Sequence, residues 1–247
     1  MASLVHDDVI DDANSRRNMD SIKARFGNVA AVTMGVYLYS VALKLIARSE
    51  SITVLDELSS TVKKMCEGEL KQQDFINHIS FDKKDYFEIV NAKTAVLFKS
   101  ASLIGHLLFS VDSKYKHSLL EFSLSLGNAF QLTDDFLDLM DNKNLLNKSI
   151  GQDFLKGQYT LPMIFAFEKM TEKEKDYVFS CVKEKNLDGL KFIQSIFEKY
   201  ELTTQFNTII LNYVSKARNA VNQLPQNQFN QALLFLIEYV QERTHLN

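Results

Sequence analysis

At 247 residues, with 46% hydrophobic and 24% charged side chains, the chain has the balance of a globular protein, and a net charge of -3 without a basic cluster excludes a nucleic-acid surface. Its 8 Gly and 2 Pro, the prolines falling late at Pro162 and Pro225, leave long stretches without turn signals and exclude a turn-rich β fold. Cys66 and Cys181 are too few for a disulfide scaffold and too far apart for a zinc site; both are expected as buried thiols of a cytoplasmic protein.

In chain order, a helix is expected over 2–12, where Asp7 and Asp8 arrive before the apolar core of a signal peptide could form. It carries Asp7-Asp8-Val9-Ile10-Asp11-Asp12, an Asp-Asp-x-x-Asp pattern that puts Asp7 and Asp11 on one face. A helix over 24–47 comes next. Its uncharged run from Val29 to Leu43 falls short of the ~20 residues of a membrane span and reads as a buried core helix. Helices are then expected over 51–72 and 82–109, the latter with Phe87, Val90, Thr94, Leu97, Phe98, Ala101 and Ile104 recurring at three and four. The helix over 113–140 delivers a second cluster, Asp134-Asp135-Phe136-Leu137-Asp138, with Asp134 and Asp138 on one face. From Asp141 to Tyr159 the chain turns polar. That stretch is expected as a flap over a nearby site, with a domain linker as the alternative. Helices over 160–169, 171–184, 187–199, 203–222 and 228–244 complete the chain, and no segment alternates as a strand.

Like charges four apart on a helix cost roughly 0.2–0.5 kcal/mol per pair, so two such clusters call for a cation. Carboxylate oxygens are hard ligands suited to Mg2+, which takes one or two protein carboxylates together with phosphate oxygens and water. The residues therefore point to a diphosphate held through magnesium, with Asp7, Asp11, Asp134 and Asp138 lining one cavity. His6 is a poor partner for such an ion and is expected in a hydrogen-bonded structural role. The bland alternative for either cluster is a solvated helix cap favoured by the helix dipole.

Further motifs occur in a fixed order: Arg16-Arg17 after the first cluster, Phe26-Gly27-Asn28, Gly68-Glu69, Lys93-Thr94-Ala95 with Leu97-Phe98, and Gly127 to Asp138 with Phe130-Gln131 just before the second cluster. Lys148, Gly151, Asp153, Gly157 and Thr160-Leu161-Pro162 come next, and the correspondence runs to Tyr239-Val240-Gln241-Glu242-Arg243. In this combination the sequence resembles the trans-isoprenyl diphosphate synthases, also called the polyprenyl synthetase family. The second cluster after Gln131 favours chain elongation over terpene cyclisation.

The resemblance implies an all-α bundle of the isoprenoid-synthase type with a central cavity, and condensation of isopentenyl diphosphate with an allylic diphosphate. It assigns Asp7 and Asp11 to two magnesium ions and Asp134 to a third, with Asp8, Asp135 and Asp138 completing the shells directly or through water. Arg16, Lys93 and Lys148 would grip the allylic diphosphate and Arg17 the isopentenyl diphosphate. Thr94 and Gln131, with Lys93, would serve the carbocation. Ala2 and Ser3 would form the floor of the product tunnel, and their small size implies a medium-to-long polyprenyl product. Family members carry further helices before the first cluster, so 1–247 reads as a single synthetase domain lacking them, through truncation or with a partner supplying them. Poor condensation by the isolated chain, uncovered apolar faces, a homodimer or heterodimer, and transient membrane contact at product release are expected on that basis. The alternative function is a noncatalytic or incomplete subunit of a heteromeric synthase.

Overall fold

The structure, a computed structural model, describes residues 1–16, 19–76, 82–109, 111–140 and 150–243. The backbone divides into two compact units, Met1–Glu57 and Leu58–Asn247.

In the first unit, helix α1 (Ala2–Ile10) leads into a short antiparallel pair, β1 (Ser15–Arg16) and β2 (Met19–Asp20), with Ser15 opposite Asp20. The sequence predicts no strand here, because two residues per strand give no alternation to read. Helix α2 (Ile22–Ala47) starts where the Ser21 hydroxyl accepts from the Ala24 amide at 3.0 Å and donates to the Ala13 carbonyl at 2.7 Å. The helix is kinked at Gly27, whose φ is +81°.

The expectation that α2 is a buried core helix does not hold. Only Ala31 and Gly35 are buried along it, while Val29 is 83% and Tyr37 64% exposed. The helix is apolar on every side, and α1 covers only a narrow stripe of it; such a helix ordinarily has cover all round. At 26 residues, with a most apolar 18-residue stretch of mean hydropathy 1.8, it is also, among the described residues, long and apolar enough to cross a membrane, which the shorter uncharged run conceals.

The second unit is helical throughout its described length. Most of α3 (Ile52–Asp74) leads to α4 (Lys83–Val90), a π-helical turn over Asn91–Ala95, α5 (Val96–Leu108), a 3-10 turn over Ser113–Tyr115 and α6 (Lys116–Met140). Then come α7 (Gln152–Lys156), α8 (Leu161–Phe167), α9 (Glu172–Lys183), α10 (Asp188–Lys199), α11 (Leu202–Asn222) and α12 (Gln228–Glu242). Local chemistry fixes several of these starts. Thr171 and Glu174 form a reciprocal capping box on α9, Asn227 caps α12, and Pro162 opens α8 where its missing N–H costs nothing.

Helix α6 is the axis of this unit and packs against α5, the π turn, α8, α10, α11 and α12. Leu132, Leu139, Phe154, Phe197 and Phe206 are fully buried around it, each such side chain contributing about 1.5–3 kcal/mol. The single helix expected over 82–109 is broken by the π turn, whose extra residue rotates the downstream side chains. Ala95, which ends the turn, and Val96 and Ser100 after it are buried, whereas Leu97 and Ala101, expected on the core face, are exposed. Cys181 is buried as expected; Cys66 lies on the exposed side of α3 and is not.

Candidate active site

The first acidic cluster occupies the last turn of α1 and the residues just past it, Asp11 being the C-cap. That end of a helix carries partial negative charge, so carboxylates there are disfavoured, by about 0.3–1 kcal/mol each at an exposed site. The bland reading of a dipole-stabilised cap is thereby removed: these side chains stand against the dipole. Asp8 is buried and accepts from Arg16 Nε at 2.8 Å, while the exposed Asp12 pairs with Lys23. Asp7 and Asp11 are half-buried. His6 takes the structural role expected of it, with Nε2 at 3.1 Å from the Val32 carbonyl oxygen. Ala2 and Ser3 form the first residues of α1 and are also half-buried. Arg17 lies outside the described residues.

In the second unit, the π turn carries Lys93 and Thr94, and two glycines let it approach its neighbours. A Cβ on Gly68 of α3 would come within 2.9 Å of Ala92 Cβ, and one on Gly127 of α6 within 2.8 Å of Ala95 Cα. The Asn128 amide also donates to Asn91 Oδ1 at 3.0 Å, pinning the start of the turn to α6. Lys93 reaches Gln72 Oε1 at 2.8 Å and Glu69 Oε2 at 2.5 Å on α3. π turns inside α-helices recur at functional sites because they re-aim side chains that a regular helix would point elsewhere.

Thr94 and Gln131, paired by the sequence reading, meet: the Thr94 hydroxyl donates to Gln131 Oε1 at 2.8 Å. Gln131 Nε2 donates to Asp135 Oδ1 at 2.7 Å, and the Tyr86 hydroxyl of α4 donates to Asp135 Oδ2 at 2.6 Å. Burial pushes the Asp135 carboxyl up to about 7, opposed by those two donors and reinforced by the charges of Asp134 and Asp138. Burial first, and then the Asp135 charge, raises the Tyr86 phenol well above its ordinary value and keeps it a donor. Sequence reasoning missed Tyr86; its one signal is its place on the helix that leads into Lys93-Thr94.

Asp134 pairs with Arg243 Nη2, and the guanidinium lies 5.1 Å from the Phe130 ring centre and 5.9 Å from that of Tyr239. Sequence reasoning reaches Arg243 only as the end of a motif. Asp138 behaves differently: its two oxygens accept from the backbone amides of Gln152 at 3.1 Å and Asp153 at 3.0 Å, anchoring α7. The expected flap is accordingly not one from residue 151 onward, where Phe154, Gln158, Tyr159 and Thr160 are buried. Lys148 lies outside the described residues.

Among the described residues no three His, Cys, Asp or Glu side chains converge on a point that could hold an ion. The donors nevertheless suit a hard divalent cation, because every candidate is a carboxylate and magnesium completes its shell with substrate oxygens and water rather than with a protein cage.

Comparison with known proteins gives a consistent answer. The family profile described as Polyprenyl synthetase matches residues 1–199. The chain is 28% identical over 236 residues to the octaprenyl diphosphate synthase of Haemophilus influenzae, covering 95% of this chain and 72% of that protein. It is 30% identical to heptaprenyl diphosphate synthase component 2 of Geobacillus stearothermophilus, covering 99% and 76%. A crystal structure of a polyprenyl synthase from Caulobacter crescentus, complexed with calcium and isoprenyl diphosphate, superposes with a TM-score of 0.89 at 28% identity, covering 98% of this chain and 75% of that one.

Proposed function

Because the chain belongs to the polyprenyl synthetase family, we propose a residue-level reading of its reaction. The protein is a trans-prenyltransferase that condenses isopentenyl diphosphate with an allylic diphosphate to give a polyprenyl diphosphate. In that chemistry the allylic C–O bond breaks, the isopentenyl double bond attacks the resulting cation, and a proton passes to the departing diphosphate. No protein general base is required. Magnesium, when bound, supplies the concentrated positive charge that stabilises the leaving group. Asp7 and Asp11 would hold two of the ions and Asp134 a third, while Asp8, Asp135 and Asp138, which protein donors already engage, would complete the shells directly or through water. Arg16, Lys93, Arg17 and Lys148 grip the diphosphates. The cation is steadied by the weak oxygen acceptors of Thr94 and Gln131.

The observation that carries this reading is the spacing on α6: Gln131, bonded to Thr94, and Asp134 stand three residues apart, so one helix serves both the cation and the leaving group. The protein is further read as cytoplasmic and as making a medium-to-long product; its reading as a homodimer or heterodimer is supported by the uncovered apolar α2 and by the relative named as one component of a synthase. The test is to supply the purified protein with farnesyl diphosphate, isopentenyl diphosphate and Mg2+ and to separate products by length, with its mass in solution measured alongside. Polyprenyl diphosphate that vanishes on chelation supports the reading. Turnover that is indifferent to chelation contradicts it.

A further inference from the structure

Tyr86 has no part in the proposed reaction and Asp135 only one at the metal shell, yet they are among the most enclosed polar groups of the second unit, each 4% exposed. Their hydrogen bonds form a directed chain. The two donors, Tyr86 and Gln131, favour the ionised form of Asp135, which only accepts; with Oδ1 accepting from Gln131 Nε2 at 2.7 Å, the amide presents Oε1 to its other neighbour. That neighbour is the Thr94 hydroxyl at 2.8 Å, which has a single proton and must spend it on Oε1. Two lone pairs remain at Thr94. A hydroxyl presenting lone pairs stabilises a nearby carbocation; one presenting its O–H dipole destabilises it.

Resting on that role of Thr94, we propose that Tyr86 and Asp135 are positioning residues that set the direction of the Thr94 hydroxyl through Gln131. Tyr86 occupies Asp135 Oδ2 with its own proton at 2.6 Å, so the other oxygen is held facing Gln131. The i, i+4 spacing of Gln131 and Asp135 on α6 fixes the second link, and the π turn over Asn91–Ala95 brings Thr94 to the third. No freely rotating group stands between the phenol of α4 and the hydroxyl of the π turn.

A purely structural tie between α4 and α6 has the same contacts but different consequences, and a double-mutant cycle separates the two. Tyr86→Phe keeps the ring that packs edge-on to Phe87 at 5.3 Å and removes only the donor. It is expected to lower kcat about tenfold while leaving KM for both diphosphates unchanged, and to have less than about a twofold effect once Thr94→Val has removed the hydroxyl. Equal losses in both backgrounds, or wild-type kcat in Tyr86→Phe, overturn the proposal. A second measurement needs no turnover: exchange of the Gln131 side-chain amide protons, followed by NMR, should quicken about tenfold in Tyr86→Phe, and an unchanged Gln131 signal also overturns it. If the wild-type chain makes no polyprenyl diphosphate even with a partner subunit supplied, the assignment of the reaction fails, while the amide measurement still decides the relay.

Discussion

Arg243 Nη2 closes on Asp134 Oδ1 across 109 residues of sequence, bringing the end of α12 to the second acidic cluster. The side chains are only 14% and 30% exposed, and the Nε of the same guanidinium is buried without a hydrogen-bond partner among the described residues. A cation that takes Asp134 as a ligand competes with this guanidinium for the same carboxylate. Arg243→Gln is therefore expected to lower the Mg2+ concentration giving half-maximal activity by about two- to fivefold, the equivalent of 0.5–1 kcal/mol for a partly exposed ion pair. A metal titration of rate checks this. A higher Mg2+ requirement would mean that Arg243 holds the diphosphate instead of competing with the metal.

Replacing the ligands themselves has a sharper outcome. Asp7→Ala and Asp134→Ala are expected to reduce kcat by at least about 10²–10³, because each removes a group that places charge at the leaving group. The far-ultraviolet circular dichroism should stay near wild type, since neither side chain belongs to the apolar core. Asp12→Ala serves as the control: its carboxylate is 89% exposed although its partner Lys23 is only 11% exposed, and activity should change less than about twofold. Near wild-type turnover by Asp134→Ala at saturating Mg2+ would remove it from the ligand set.

The acidic clusters, Lys93, Thr94 and Gln131 are legible in the sequence because motif order and helix periodicity are local signals. The pairing of Thr94 with Gln131 comes from the resemblance. The π turn is not legible: one inserted residue leaves the apolar spacing over 82–109 nearly intact while turning Leu97 outward and Val96 inward. The partners of Asp135 and Asp134 are hidden for another reason, since Tyr86 and Arg243 lie 49 and 109 residues away and no periodic pattern encodes that proximity. Helix α2 misleads in the opposite direction. Its apolar run resembles a core element, but burial depends on what packs against it, and that is not written in the run itself.

Two glycines of the second unit should respond oppositely to substitution. An Ala or Val side chain at Gly127 would meet the Ala95 backbone at 2.8 Å, so Gly127→Val is expected to destabilise the fold by about 1–3 kcal/mol and to lower activity by displacing Thr94 from Gln131. Gly105, inside α5, leaves open space where a Cβ would stand, with no atom within 4 Å, and Gly105→Ala is expected to stabilise by about 0.5–1 kcal/mol through helix propensity alone. Denaturant titration of both variants checks the pair. Equal tolerance at the two positions would contradict the close approach of α6 to the π turn.

Product length tests the role given to the start of α1. Ala2 and Ser3 precede Asp7 by five and four residues, so on the helix they lie about one turn back from it on its side of α1. Their small side chains are read as an open tunnel floor that lets the chain grow past farnesyl. With farnesyl diphosphate and excess isopentenyl diphosphate, an active preparation, supplemented with a partner subunit where the chain alone condenses poorly, should make medium-to-long products, and Ala2→Phe should shift the distribution to shorter ones, because an aromatic ring fills space that added isoprene units would otherwise occupy. The rate of the first condensation should be little changed, since Ala2 lies more than one turn of α1 before Asp7. Wild-type product that stops at farnesyl would refute the open floor, and an unaltered distribution in Ala2→Phe would place the length-determining wall elsewhere, with Met34, Tyr37 and Leu38 of α2 the next side chains to vary.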